Sequence, residues 1–455
     1  MQLTTEQKVQ GRANFFAAAQ RLPELGRFEY QPSESGPVRA GIVGTGVEGR
    51  VLIEVSNPQY LDYVACCDIR PDNLVLGHAQ IVNWQHKSAD QVRMYSNYEE
   101  MLNDPQIEAV VIATPLHLHG PMALQALEAG KHVFTEKTMA FTTELCEQMT
   151  QKAKEKGLNL QVGHQRFYNP LYWDAFRMYR MGWLGNVYHI RSLWHRNTDW
   201  NYWIHVREEY KDELMKFDPR KYGYEDLQKL VNWRWYEETS HGLWTELCSH
   251  QLAITNWLFG EQIPTAVQAF SGKLKKQIDF DVINKVGYEQ DDRTIHDHIF
   301  VIYEYPNNRT VTYSSQQSNS FDNYYEQIMG TFGTIILSSE NQAYLFWETG
   351  IDSIDKALEL ANTHKPSTVD GLNDRDRQQN AFAAHLYAEA YQGGNLNMTP
   401  YDPYRWQLEG FALTIRTGAP NLCDGRRAAQ AAYACYAGKE AAEENKRVEL
   451  RKLEV

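Results

Sequence analysis

The sequence predicts an α/β domain built on a doubly wound parallel sheet, followed by an α+β domain with a largely antiparallel sheet. Three observations carry this prediction. From Val38, short apolar runs alternate with amphipathic segments of helix length, which implies parallel strands with helices on both faces. After Arg166 the strands lengthen and alternate apolar with polar residues, as in an antiparallel sheet with one solvated face. Eight of the twelve tryptophans lie between Trp183 and Trp257, so the bulky aromatic material belongs to the second domain.

The elements follow in order. Residues 1–37 form an extension, in which Thr4 or Thr5 caps a helix running to about Leu22 and "PSESGP" ends it. Residues 38–165 make the first domain. Its strands are "VRAGIV", "LDYVACCD", "EAVVIAT", "KHVFTE" and "LNLQVG". The helical segments "GPMALQALEAG" and "TTELCEQMTQKAKEKG" each end in glycine, a frequent helix stop. Residues 166–400 make the second domain, with strands in "NVYHIRSLWHR", "DHIFVIYEY", "RTVTYSS" and "GTIILS" and hairpin turns at "YPNNRT" and "GTFGT". The charged stretch 206–236 reads as a loop with short helices. Residues 401–455 are an Ala-rich helical segment that packs back on the body.

Composition narrows the function. The chain has 45 Lys+Arg against 58 Asp+Glu, a formal net charge of −13, which disfavours nucleic acid and anionic membrane as partners. Six cysteines in 455 residues, without a C-x-x-C or zinc spacing, give neither a disulfide framework nor a metal site. The first twenty residues carry no export signal, and no apolar run reaches the ~18 residues a membrane helix needs. A cytoplasmic location is expected.

"GIVGTGVEGR" holds Gly44, Gly46 and Gly49 in the spacing G-x-G-x-x-G, with Thr45 and Val47 between them, directly after a strand. Glycines here allow a tight turn and bring backbone N–H groups close to a pyrophosphate. Asp68 ends the second strand about 20 residues on, where a carboxylate binds the adenosine ribose. It disfavours a 2′-phosphate, so NAD is expected over NADP; Arg70 weakens that preference.

The strand "EAVVIATP" ends in Thr114 and Pro115, with His119 beyond, and "KHVFTEK" ends in Glu136 and Lys137. C-terminal strand ends line the ligand crevice of a doubly wound sheet. Adjacent residues on extended chain point opposite ways, so one of the Glu136–Lys137 pair faces cofactor and the other substrate. Lys137 serves either as an acid–base group or as a structural cation. An ammonium gives up its proton near neutrality only when burial or neighbouring positive charge destabilises it.

In "SHGLWTELCSHQLAITNWLFG", Leu243, Leu247, Ile254, Trp257 and Leu258 share one face of a helix, and Glu246 and His250 fall in the same arc. Glu246 would orient His250, and His250 would exchange a proton with a hydroxyl. The alternative is a satisfied core pair. No metal is expected.

These motifs, in this order, resemble the glucose–fructose oxidoreductase / inositol dehydrogenase / rhizopine-catabolism family (Gfo/Idh/MocA). The resemblance rests on "AGKHV" leading to Glu136-Lys137-Thr138, on "ATP" leading to His119, and on "VGHQRF" containing Gln165 and Arg166. It also rests on "ELCSH" ending at His250 and on "NWRWYEE" containing Trp233 and Arg234. It implies a Rossmann domain and an open-sheet domain that forms homodimers or homotetramers. It implies bound NAD(P), with Gln165 among the cofactor contacts, and redox chemistry on a sugar, polyol or glycoside. Lys137 and His250 inherit acid–base roles and Glu246 a supporting one. Arg166, Asn197, Trp233, Arg234 and His241 are candidate substrate contacts. Thr138 stands where the family has proline, which leaves the backbone after Lys137 less constrained. Two further readings follow: an NAD-dependent glycosidase working by transient C3 oxidation, elimination, hydration and re-reduction, and a non-catalytic NAD-binding sensor.

Overall fold

The computed structural model describes residues 3–23, 35–198, 200–274, 292–364, 366–367, 373–392 and 395–453. The start of the "PSESGP" turn lies outside them.

Helix α1 (Thr5–Ala19) is capped by Thr4, whose side chain accepts from the Gln7 N–H while the Gln7 side chain returns the bond, a capping box. The first domain then alternates as expected: β1 (Val38–Val43), α2 (Val47–Val55), β2 (Leu61–Cys67), α3 (Pro71–Trp84), β3 (Arg93–Tyr95), α4 (Tyr98–Leu102), β4 (Ala109–Ile112), α5 (Leu116–Glu128), β5 (His132–Thr135), α6 (Thr143–Lys156) and β6 (Leu160–Val162). The six strands are all parallel, in the order β3-β2-β1-β4-β5-β6. That order places the crevice between β1 and β4, where the connections diverge to opposite edges. Cys66 and Cys67 project into different core clusters on the two faces of the sheet, as adjacent strand residues must.

The second domain opens with α7 (Pro170–Arg180), β7 (Val187–His195), α8 (Glu208–Leu214) and α9 (Leu227–Val231). A π-helical turn, Trp244–Cys248, leads into α10 (Ser249–Leu258). Strands β8 (Ala266–Gly272), β9 (His298–Tyr305), β10 (Arg309–Gln316), β11 (Tyr324–Gly330), β12 (Gly333–Ser338) and β13 (Gln342–Trp347) follow, then α11 (Ile354–Thr363) and α12 (Asp374–Ala390). A short hairpin, β14 (Tyr391–Gln392) and β15 (Asn395–Leu396), precedes α13 (Asp402–Thr417), α14 (Gly425–Glu443) and β16 (Val448–Glu449). The large sheet runs β13-β12-β11-β7-β10-β9-β8-β16, antiparallel except where β10 meets β7. The β9–β10 turn uses Asn307 and Asn308, both at positive φ, as a tight hairpin requires.

One face of this sheet packs on α10 and α14. On the other face, register pairs Phe270 with Phe300 and Gln268 with Ile302, and the three apolar side chains are 65%, 50% and 50% exposed. At the far edge α1 lies against β13. Gly11 abuts the Phe346 and Tyr344 side chains, and the Asn14 amide donates to the Leu345 carbonyl. This helix therefore covers an edge that would otherwise offer unpaired backbone groups.

Helix α13 returns to the first domain. Leu408, Phe411 and Ala412 complete the core cluster that holds Ile42, Leu52, Cys66 and Phe134. Burying an aliphatic or aromatic side chain of this kind is worth about 1.5–3 kcal/mol each. Arg416 clasps Glu108 at 3.0 and 2.9 Å. Partial burial opposes ionisation of Glu108, but Arg416 and Arg39 outweigh it and hold its pKa at about 2.

Candidate active site

A cavity runs between the domains. The first domain contributes Gly44, Gly46, Val47, Glu48, Asp68, Arg70, Thr114, Pro115, His119, Glu136 and Lys137; the second contributes Tyr202, His205, Tyr224, Trp233, Arg234 and Glu246. The glycine loop is built for close approach. Gly44 has φ +83°, and a Cβ there would meet the Ala113 carbonyl oxygen at 2.5 Å. A Cβ on Gly49 would meet the Gly44 oxygen at 1.9 Å. Thr45 is fully buried behind the loop and donates its N–H to Asp68 at 2.8 Å.

Asp68 also accepts the Arg70 N–H at 2.9 Å. Burial raises its pKa, against the pull of Arg70 and the two backbone donors. The Arg70 guanidinium grips Asp72 through Nε at 3.1 Å and Nη2 at 2.6 Å. It is thus committed to a carboxylate, and the expected weakening of NAD preference loses its basis.

Lys137 sits where the two domains meet. Its Nζ donates to the Glu246 carbonyl oxygen at 3.2 Å and lies 3.8 Å from the Glu246 carboxylate. Arg234 Nε donates to the same carboxylate at 3.0 Å and stacks over Trp233, 4.1 Å from its ring centre. Burial opposes ionisation of Glu246, but Arg234 and Lys137 outweigh it and keep the carboxyl below its ordinary pKa. Glu136 behaves oppositely: burial, then the charge of Glu48, pushes it up to about 8. Glu136 packs on Gly163, where a Cβ would come within 2.6 Å of its Oε1.

The backbone after Lys137 is more constrained than the loss of proline suggested. The Lys137–Thr138 peptide is cis. Thr138 Oγ1 donates to the Thr245 carbonyl at 2.8 Å, and the Thr138 carbonyl lies 2.8 Å from His119 Nδ1. His119 Nε2 lies 2.8 Å from the Thr114 carbonyl; burial keeps this imidazole neutral, so its one N–H donates to one of the two carbonyls.

Glu246 and His250 do not pair as the helical spacing predicted. The π-helical turn at Trp244–Cys248 inserts an extra residue into the turn, and residues four apart no longer share one stripe. Glu246 turns to Lys137 and Arg234, while His250 is 4% exposed and sits against His164 and Trp194, with ring centres 5.8 and 5.2 Å apart. Burial, then Lys137 and Arg166, hold His250 well below the usual imidazole pKa, so it is neutral.

Other expected residues lie elsewhere. Arg166 is buried and ion-paired to Glu326 and Glu340, and Gln165 donates to Glu340 at 3.2 Å. His241 stacks on Phe141 at 4.1 Å and reaches the Phe141 carbonyl at 2.9 Å, away from the cavity. Asn197 lines an adjoining cleft. Sequence reasoning passed over Glu48, Arg50, Tyr202, His205 and Tyr224. Glu48 and Arg50 lie inside the glycine loop's own stretch, where their charge was the available signal; the others sit on irregular chain with no pattern to mark them.

The residues present fit a dinucleotide. Besides the glycine cradle and Asp68, Thr114 Oγ1 and Glu136 Oε1 are buried polar atoms of the cavity wall with no hydrogen-bond partner among the described residues. They are free to meet ligand hydroxyls or amides. No group of three or more His, Cys, Asp or Glu suited to a metal occurs among the described residues, and no described helix is long and apolar enough to cross a membrane.

Comparison with known proteins agrees. Residues 38–164 match the Gfo/Idh/MocA model described as "Oxidoreductase family, NAD-binding Rossmann fold". Residues 212–450 match that of its C-terminal alpha/beta domain. The 2,7-anhydro-N-acetylneuraminate hydratase of Escherichia coli (strain K12) is 24% identical over 309 residues, 67% of this chain and 69% of that protein. The scyllo-inositol 2-dehydrogenase (NAD(+)) of Bacillus subtilis (strain 168) is 42% identical over 94 residues, 21% of this chain and 28% of that one. Among solved structures, a levoglucosan dehydrogenase in complex with NADH and levoglucosan superposes with TM-score 0.64 at 16% identity, covering 91% of this chain and 100% of that chain.

Proposed function

The chain belongs to the Gfo/Idh/MocA family of NAD-dependent oxidoreductases, and from that premise we propose that it oxidises a secondary hydroxyl of a sugar, polyol or glycoside. The observation that carries the reading is the placement of Lys137. It projects from the end of β5 into the same cavity as the glycine loop and is joined to Glu246 of the second domain. Bound NAD supplies the hydride acceptor. Glycine-loop N–H groups would hold its pyrophosphate and Asp68 its ribose, and Thr114 and Glu136 would offer it their unpartnered oxygens. Lys137, in its unprotonated amine form, would take the hydroxyl proton as the C–H hydride passes to the nicotinamide, leaving a ketone. Glu246, itself held by Arg234, positions the Lys137 side chain. His250, neutral and with Nδ1 unpartnered, is the second proton carrier. Trp233, Arg234 and Asn197 are the substrate contacts this reading keeps.

A second reading is redox-neutral glycoside cleavage. It needs a further acid–base group to move the C2 proton, and Glu136 at about 8 is poised for proton transfer near neutrality. The E. coli relative is named a hydratase, which also favours it. A sensor without turnover has no observation in its favour. The exposed Phe270, Phe300 and Ile302 face suits a homodimer or homotetramer, and a cytoplasmic location fits the reduced thiols of six free, buried cysteines.

Proton NMR of a sugar and glycoside panel in D2O with added NAD tests the function. Equal accumulation of ketosugar and NADH is the expected result. Free sugar and aglycone without NAD consumption, with deuterium entering at C2, would replace it by the second reading.

A further inference from the structure

Beside the reaction cavity lies a second cleft of ≈ 400 Å³, within the usual size of small-molecule sites (about 300–1,000 Å³). The two share Tyr202 and His205 on their walls. Their lining differs. The reaction cavity sets the carboxyl groups of Glu48, Asp68, Glu136 and Glu246 beside the cations Arg50, Arg70, Lys137 and Arg234. The cleft has one guanidinium, Arg196, two imidazoles, His195 and His205, that burial holds below their ordinary pKa, and no carboxylate among its described lining residues. Arg196 is thus the one fixed charge among those residues.

Arg196 is half-buried and lies 4.6 Å from the centre of the Trp194 ring, which in turn stacks on Tyr324 at 4.5 Å. No carboxylate lies within ion-pair distance of it among the described residues. Its charge reaches Glu48 in the reaction cavity and the buried His250, where it favours the ionised carboxylate and the neutral imidazole. A guanidinium placed over an aromatic ring, with no counter-ion among the described residues, is suited to two-point recognition of an oxyanion. Asn197 and Asn201 on the same wall add polar groups.

We propose that this cleft binds an anionic substituent of the substrate, a carboxylate or a phosphate carried on the part of the molecule beyond the reacting ring, with Arg196 as its counter-ion. This rests on the carbohydrate reading above and narrows its substrate class to acidic sugars or glycosides.

The test is calorimetric titration of the NAD-loaded protein with methyl glucoside, methyl glucuronide and methyl glucoside 6-phosphate, repeated with Arg196→Gln. The expected result is about tenfold or tighter binding of one anionic ligand over the neutral one, lost in Arg196→Gln and weakened by salt. NAD affinity, read in the same samples, should not change. The uronate and phosphate arms tell which oxyanion is preferred. Equal binding of neutral and anionic ligands, or a preference that survives Arg196→Gln, overturns the cleft assignment and leaves the carbohydrate reading standing. If none of the three binds, the cleft assignment falls, and the carbohydrate reading is decided by the NMR panel.

Discussion

Lys137 of the first domain and Glu246 of the second are joined twice, through the Glu246 carbonyl at 3.2 Å and its carboxylate at 3.8 Å. Lys137 therefore sits in a bond between the domains, and its position depends on both.

Replacing Lys137 tests that position. Lys137→Ala is expected to lower turnover by about 10²–10⁴-fold, the range of a lost general acid–base, with NAD affinity largely intact. Lys137→Arg keeps a cation beside Glu246 but cannot release a proton near neutrality. Steady-state kinetics of Lys137→Arg at near wild-type rates would show that the lysine only holds the carboxylate.

Glu136 makes stability depend on pH. Its pKa rises from about 4.5 unfolded to about 8 folded, so the folded state holds the proton more tightly. That contribution is full below pH 4.5 and is lost as pH climbs to 8. Glu136→Gln should leave the melting temperature little changed at pH 5 and raise it at pH 8.5 by about 3–8 °C. Thermal scans across that range decide; parallel curves for the two proteins would contradict the raised value.

In the proposed reading, Asp68 and the Arg70–Asp72 clasp are responsible for cofactor choice. Asp68→Ala should weaken NAD binding about tenfold, on the scale of a lost charged hydrogen-bond pair. In Asp68→Ala/Asp72→Ala, Arg70 is released and NADP should gain relative to NAD. Fluorescence titration with both nucleotides reads the ratio, and an unchanged ratio would remove Arg70 from the account.

Arg166 is expected to act on stability. Its charge is satisfied by Glu326 and Glu340, and it is about 1% exposed. Arg166→Met leaves two buried carboxylates without their cation, a loss of about 3–5 kcal/mol. Denaturant unfolding measures this. A soluble variant of wild-type stability with only a raised KM would return Arg166 to the substrate contacts.

The exposed sheet face predicts association. Analytical ultracentrifugation should find a dimer or tetramer, and Phe270→Glu/Ile302→Glu should shift it to monomer with the fold intact by circular dichroism. A monomeric wild-type protein would contradict the proposal.

The alternating apolar runs made the first domain legible, because a parallel sheet buried on both faces leaves that mark on each strand. The glycine loop, Asp68 and the Glu136–Lys137 pair were legible because strand ends fix where their residues emerge. Short β3 was not, since three residues, two half-buried and one exposed, carry no pattern. The Glu246–His250 pairing failed because periodicity assumes an unbroken α-helix, and the π turn is not encoded in apolar spacing. The ion pairs of Arg166 were not legible because its partners lie 160 and 174 residues away, a separation that no local pattern reveals.

Leu408, Phe411 and Ala412 close the core beneath Phe134 and Leu52, and they are translated long after it. While the ribosome is still making the second domain, the cofactor-binding half of the nascent chain lacks one wall. It is then an open, sticky surface that a chaperone would shield. Chains arrested before Asp402 should stay protease-sensitive between residues 38 and 165, and become resistant only once the following helix has emerged.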